Sequence, residues 1–235
     1  MKKVFPYVAA IASFFLFSIL YCLPVFQGKV LQAGDVNTYI GASEEVREYT
    51  RKEGRQVFWT NSMFGGMPTY QISGSTPSGQ LRGTMERIAR VGLNDDHSPA
   101  GILFCYCVGF FLMLLCFGVN PWLAIPGAFA LTLSSYFILI VPAGHITKAV
   151  GLGFLAPMTG GFYAIFRRRF SLGVPLVLLY GIMGVNLHPQ MTYYVCMLLG
   201  VFLIAELSIA ARGRDFKGFG VSLAVLAACM LLVGG

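Results

Sequence analysis

The sequence predicts an all-α integral membrane protein, a multi-spanning helical bundle with one large water-facing loop that contains short helices. Three observations predict it. Of the 235 residues, 56% are hydrophobic and only 11% are charged, whereas a soluble domain carries about a quarter charged, and the mean hydropathy is +0.70. The apolar residues fall in long windows, several of which approach or exceed the ~17 to 25 residues that cross a bilayer as helix. The polar residues are concentrated in one place, the segment 27–100, where eight cations offset eight acids.

The first window, 4–26, follows Lys2 and Lys3. It is too long for the h-region of a signal peptide and lacks a convincing small-residue cleavage pattern, so it reads as a retained first span. Pro24 near its end suits a membrane surface or a kink. The loop 27–100 comes next. Tyr39, Ile40, Val46 and Tyr49 lie among charges, with Gly41 interrupting and Gly54 placed to stop a helix, which predicts one or two short surface helices. Aromatics, methionines and turn formers then mix over 58–70, as in an ordered loop whose rings pack on something. Residues 74–79 read as a small-residue linker. Leu81, Met85, Ile88 and Val91 recur beyond it at helical spacing, which describes an amphipathic helix on the membrane surface or on the loop's own core.

The remaining windows are 101–119, 121–141, 149–166, 170–187, 191–211 and 219–235. Asn120-Pro121 between the second and third suggests a helical hairpin with Trp122 at the interface. The last window ends without a flanking charge, which reads as a fragment of a longer protein.

The six cysteines all fall in apolar windows without a C-x-x-C pair; they read as small buried hydrophobes, neither a disulfide framework nor a zinc site. The net charge of +7 arises outside the balanced loop. With a cytoplasmic N-terminus, Lys2, Lys3, Arg167, Arg168, Arg169, Arg212, Arg214 and Lys217 all lie on the cytoplasmic side, and Lys148 is the one cation in a short connection opposite. The positive-inside rule selects this orientation. The basic balance therefore reflects topology and excludes nucleic acid as the expected partner.

That orientation places Asp35, the stretch His145-Ile146-Thr147-Lys148 and the stretch Asn186-Leu187-His188-Pro189-Gln190 on one outer face. Polar groups near membrane depth are costly and need partners or a water-filled cavity. A cleft at the outer boundary is the expectation. Each member also has a plainer reading: Asp35 as a helix cap, Lys148 snorkelling to the surface, His145 and His188 as ordinary interfacial residues. Arg167, Arg168 and Arg169 read as a topology anchor, and Gly65-Gly66 as a turn. No P-loop, G-x-G-x-x-G, G-x-S-x-G or H-E-x-x-H occurs.

Leu31-Gln32-Ala33-Gly34-Asp35, the run from Trp59 through Thr60, Asn61 and Ser62 to Gly65-Gly66-Met67-Pro68, Gly144-His145-Ile146-Thr147-Lys148 and Asn186-Leu187-His188-Pro189-Gln190 together resemble the N-terminal part of the YfhO-type bacterial membrane proteins. These are similar to the GT-C superfamily of glycosyltransferases that use lipid-linked sugars. The resemblance covers essentially the whole chain and implies a GT-C-like fold in the bacterial plasma (inner) membrane. It also implies that an acidic residue of the first outer loop is central to transfer, and Asp35 is the matching position. Many GT-C relatives carry a paired acidic motif there. Gly34-Asp35-Val36 has one carboxylate, so a divalent metal lacks that support, no metal ligand is assigned, and no other cofactor is identified.

The expected chemistry is transfer of a sugar from a polyprenyl-phosphate donor to a cell-envelope glycan or lipid acceptor. Asp35 would take the acceptor's proton. Lys148, with His145 and His188, would hold the lipid phosphate, and Gln190, Trp59 and Asn61 would bind substrate. The other readings are a transporter or flippase of lipid-linked saccharides, and a non-catalytic membrane assembly component.

Overall fold

The structure, a computed structural model, describes residues 4–69, 72, 99–184 and 188–234. The linker at 74–79, the amphipathic helix expected around Leu81 to Val91, and Asn186-Leu187 lie outside the described residues. Ten helices are described: α1 (Phe5–Tyr21), α2 (Leu23–Phe26), α3 (Gly34–Glu53), α4 (Pro99–Cys116), α5 (Pro121–Thr132), α6 (Ser135–Ala143), α7 (Ile146–Phe166), α8 (Phe170–Gly184), α9 (Pro189–Gly213) and α10 (Phe216–Gly234). The protein is an α-helical membrane protein. Helices α4, α7, α9 and α10 are long and apolar enough to cross a membrane, and α5 with α6 is a further apolar pair, bent by 46° in the manner of a broken span or a re-entrant loop. Helices α1 and α8 are equally apolar but run only 17 and 15 residues.

The window 4–26 breaks at Cys22, with Pro24 just inside α2. The window 121–141 is not one straight span. Its break falls at Leu133-Ser134, where Ser134 takes an extended backbone, and adjacent serines are among the recognised causes of a sharp bend. The hairpin of α4 and α5 turns through Gly118 at φ +85°. The Asn120 side chain accepts from Trp122 N at 2.9 Å, which caps α5 while Pro121 occupies the first turn. Half-exposed Trp122 lies 5.8 Å from the ring of Phe5 on α1.

Helix α7 is the axis of the bundle, with 78% of its apolar window inside the protein. Lipid supplies no hydrophobic drive between helices, so close packing must, and small residues permit it. A Cβ at Gly109 of α4 would lie 2.5 Å from the carbonyl oxygen of Gly153 on α7. Similarly, a Cβ at Gly173 of α8 would lie 2.7 Å from the Gly161 carbonyl. Glycine thus lets α4 and α8 lie against the α7 backbone on two sides. By contrast, α9 buries only 11% of its window and α10 only 28%. Their outward rows, such as Met197, Val201 and Ile204, are apolar surfaces suited to lipid.

The two acids outside the loop segment, Glu206 and Asp215, meet the arginines at the C-terminal end of α7. Arg167 donates both terminal nitrogens to Glu206 at 2.8 Å each. Arg168 donates to Asp215 at 2.6 Å, and Arg169 donates to the Cys116 carbonyl. The arginine triplet is therefore more than an anchor for orientation, since it ties α4, α9 and the start of α10 to α7. Glu206 is 6% exposed inside an otherwise apolar helix, and removing it leaves a cation without its partner. Glu206→Ala should lower stability by ~2 to 3 kcal/mol, less than a fully buried pair because Arg167 is partly solvated. Thermal unfolding in detergent checks this, and restoration by the double change Arg167→Met, Glu206→Met is the expected companion result.

In the loop, α3 is one continuous helix of 20 residues, so of the one or two helices expected there is one, and it is longer than expected. Gly41 sits on an exposed face with nothing within 4 Å of its would-be Cβ. A single exposed glycine costs only ~1 kcal/mol, which the turns on either side of it outweigh. Gly54 ends the helix at φ +64°, as its position in the sequence predicts. Within the loop that follows, β1 (Trp59–Thr60) pairs with β2 (Met67–Pro68) in a minimal antiparallel ladder. Glu45 of α3 holds it, accepting from the Thr60 hydroxyl and from Ser62 N–H.

The Thr60 hydroxyl, then Ser62, keeps the Glu45 carboxyl below its ordinary 4.5. The unfolded loop then binds the proton more readily, so this contribution is complete above about pH 4.5 and fades as pH falls through the lower folded value. Acid titration followed by Trp59 emission in a Trp122→Phe background should show the ladder loosening in that range, and Glu45→Gln should abolish the transition.

Candidate functional site

Three chain segments meet at the end of α7 opposite the arginines. Helix α7 has 21 residues, so its two ends lie ~30 Å apart at 1.5 Å per residue, the thickness of a hydrocarbon core.

The first segment is the start of α3. Its cap position is Ala33, extended and without a side-chain cap bond, and Asp35 lies in the first turn. A carboxylate there is favoured by the positive end of the helix. Asp35 is thus not the cap residue. Its Oδ2 instead lies 3.0 Å from His145 Nδ1.

The second segment is the α6–α7 junction. Helix α6 stops at Gly144 in the left-handed region, φ +93°, and His145 is the cap position of α7. A Cβ on Gly144 would lie 3.0 Å from Asp35 Cβ and 3.2 Å from Val36 N. Both the turn and the approach of α3 therefore require glycine. Lys148 follows His145 by three residues and shares its face of the helix.

The third segment contributes His188, the extended cap residue of α9. Its Nδ1 is buried and has no hydrogen-bond partner among the described residues. Burial, and after it the charges of Lys148 and His145, holds the His188 imidazole below its ordinary 6.5. A neutral ring at neutral pH can donate from one nitrogen and accept at the other.

Asp35 and His145 are in contact, and Lys148 and His188 lie near enough for the charges of Lys148 and His145 to act on the His188 ring. The other expected site residues have partners of their own. Gln190 donates its amide to the Tyr194 hydroxyl at 2.9 Å on its own helix. Trp59 Nε1 donates to Asn61 at 3.2 Å, and the indole lies on Gly66, where a Cβ would come within 2.9 Å of it. Gly65-Gly66 is a turn with both residues at positive φ. The Trp59–Asn61 pair is mounted on α3 through Glu45, about 15 Å along the helix from Asp35. Among the described residues, no three His, Cys, Asp or Glu side chains are arranged to hold a metal ion.

Sequence reasoning assigned Gly144 no role, because that role becomes visible only once the distant segment at the start of α3 is packed against it. It also overlooked Glu206, which carried a usable signal: a single acid inside an apolar window calls for a named partner.

In chemical terms the site pairs a water-facing carboxylate and imidazole with an ammonium, a second imidazole, and the amino ends of α7 and α9. Neither helix end has a side-chain cap. Such a site can move a proton at Asp35–His145 and hold an anion beside Lys148. Comparison with known proteins adds no relative: no protein-family model, curated protein or solved structure matches the chain.

Proposed function

We propose that this protein is a YfhO-type, GT-C-like membrane glycosyltransferase that moves a sugar from a polyprenyl-phosphate donor to an acceptor on the outer side of the bacterial plasma membrane. The observation that carries the reading is the Asp35–His145 contact of 3.0 Å beside Lys148 and His188. In the reaction, the acceptor hydroxyl gives its proton to the Asp35 carboxylate as its oxygen bonds to the sugar's anomeric carbon. The bond from that carbon to the donor phosphate breaks, and the polyprenyl phosphate leaves with the electron pair. Lys148, the His188 ring and the free amides at the start of α7 offset the charge that builds on the departing phosphate.

The orientation in this reading, with the N-terminus cytoplasmic, is supported by the distribution of Lys and Arg. The test is reconstitution of the full-length protein with a defined polyprenyl-phosphate sugar and a set of envelope acceptors. Glycosylated product that disappears in Asp35→Asn supports transfer. Donor crossing the bilayer without product would instead identify a transporter, and neither product nor movement would leave the assembly role.

A further inference from the structure

The arginine end of α7 carries a second group of charges, remote from Asp35. A cavity of about 180 Å³ opens there, with Arg167, Arg168, Glu206, Ile209, Asp215 and Phe219 in its lining. We infer that this cavity holds the phosphate of an anionic phospholipid from the leaflet opposite Asp35, with Arg168 as its principal donor. The inference is independent of the transferase reading, because it concerns the other end of the bundle.

The first observation is charge. Arg167, Arg168, Arg169, Arg212, Arg214 and Lys217 stand against two acids, Glu206 and Asp215, which leaves an excess of four cations. Helices α4, α7 and α9 end at this boundary and α5, α8 and α10 begin there, so their terminal half-charges cancel. Both acids are matched within the chain. Glu206 accepts from Arg167 through both oxygens at 2.8 Å. Asp215 accepts from Arg168 at 2.6 Å and from the Gly218 amide at 3.0 Å. Arg212, Arg214 and Lys217 have no ion pair among the described residues.

The second is the placement of Arg168. Its backbone lies at φ +57°, in the left-handed region that glycine adopts at lower cost. Its guanidinium crosses to α10 and lies directly on Gly218, where any Cβ would collide with it. Arginine thus stands where glycine is easier, and glycine where the arginine needs room. The Asp215 pair does not account for this, because its members are 52 and 59% exposed and such pairs contribute little. Among the described residues the Arg168 guanidinium bonds through one nitrogen, and it carries five N–H donors. The others can fork onto a phosphate at the cavity mouth.

The third is the setting, which selects a lipid over a soluble phosphate. Ile209 lines the cavity and is also half exposed on α9, and Phe216 beside it in the turn is more exposed still. Apolar surface next to a charged mouth suits acyl chains. A basic pocket between spanning helices at head-group depth is the kind of place that takes anionic lipid.

The experiment measures binding. Full-length protein in detergent is titrated with phosphatidylglycerol, phosphatidylcholine and glycerol 3-phosphate, and the bound molecules are counted by native mass spectrometry. A cation near the membrane surface changes the affinity for an anionic lipid about fivefold, so phosphatidylglycerol should bind at least about tenfold more tightly than phosphatidylcholine. Arg168→Gln should weaken phosphatidylglycerol at least about fivefold. Arg168→Lys keeps the charge and loses the planar fork, so it should weaken binding nearly as far. The wild-type ligand series keeps the test decisive if either variant fails to fold.

Equal affinity for the two phospholipids would overturn the proposal. Wild-type binding by Arg168→Lys would reduce it to a diffuse surface charge and overturn the assigned site. Glycerol 3-phosphate binding as tightly as phosphatidylglycerol would make the occupant a soluble anion and overturn it as stated.

Discussion

Asp35→Asn should reduce transfer by ~10²- to 10⁴-fold, the usual contribution of a positioned proton-transfer group, while leaving the protein folded. The asparagine keeps an oxygen for His145 Nδ1 and loses only the ability to take a proton. Stability should change by less than ~1 kcal/mol, because both partners of the contact are about half exposed, at 57 and 50%, and such pairs contribute little. Activity and stability should therefore separate, which distinguishes a chemical role from a structural one. Product formation by the reconstituted full-length protein, read beside its unfolding temperature, is the measurement. Unchanged turnover would remove Asp35 from the reaction. Gly144→Ala supplies the complementary case: the left-handed backbone and the 3.0 Å approach to Asp35 Cβ both oppose a methyl group, so activity and stability should fall together.

The largest effect on stability is expected from Gly109→Val. Its Cβ would sit 2.5 Å from the Gly153 carbonyl oxygen and 3.0 Å from Pro157 Cδ. The first of these is backbone in the most buried helix, so α4 must move away from α7. Overpacking of a close-packed interior costs ~1 to 3 kcal/mol, and a β-branched residue against main chain belongs at or above the top of that range. Unfolding in mixed micelles checks it. Gly200→Ala is the control, since nothing lies within 4 Å of its added Cβ on exposed α9, and there the change should be neutral or slightly stabilising. If both substitutions cost the same, close approach at Gly109 is not what holds the bundle together.

Much of the helical layout can be read from the amino acids. Apolar windows locate α4, α7, α9 and α10 because a segment in lipid must satisfy its own backbone, and an α-helix does so within one segment. Gly54 stops α3, and Asn120-Pro121 starts α5, through local rules that need no knowledge of neighbours. The misses are equally physical. Gly41 does not interrupt α3, because one glycine's penalty is small against the rest of a 20-residue helix. The window 121–141 reads as a single span because periodicity reports burial and not direction, so the bend at Ser134 is invisible to it. That Ala33 and not Asp35 takes the cap position is decided by backbone geometry, one of the least legible features of a sequence.

The chain's amino acids alone determined that it lives in a membrane, that it is helical, and which polar residues are scarce enough to matter. Tertiary structure decided which of those residues meet. Asp35 reaches His145 because Gly144 has no side chain to hold α3 away, and Glu206 is tolerated because Arg167 arrives from another helix. Hydrophobicity is a property each segment carries by itself, whereas a 3.0 Å contact depends on how closely two distant backbones approach.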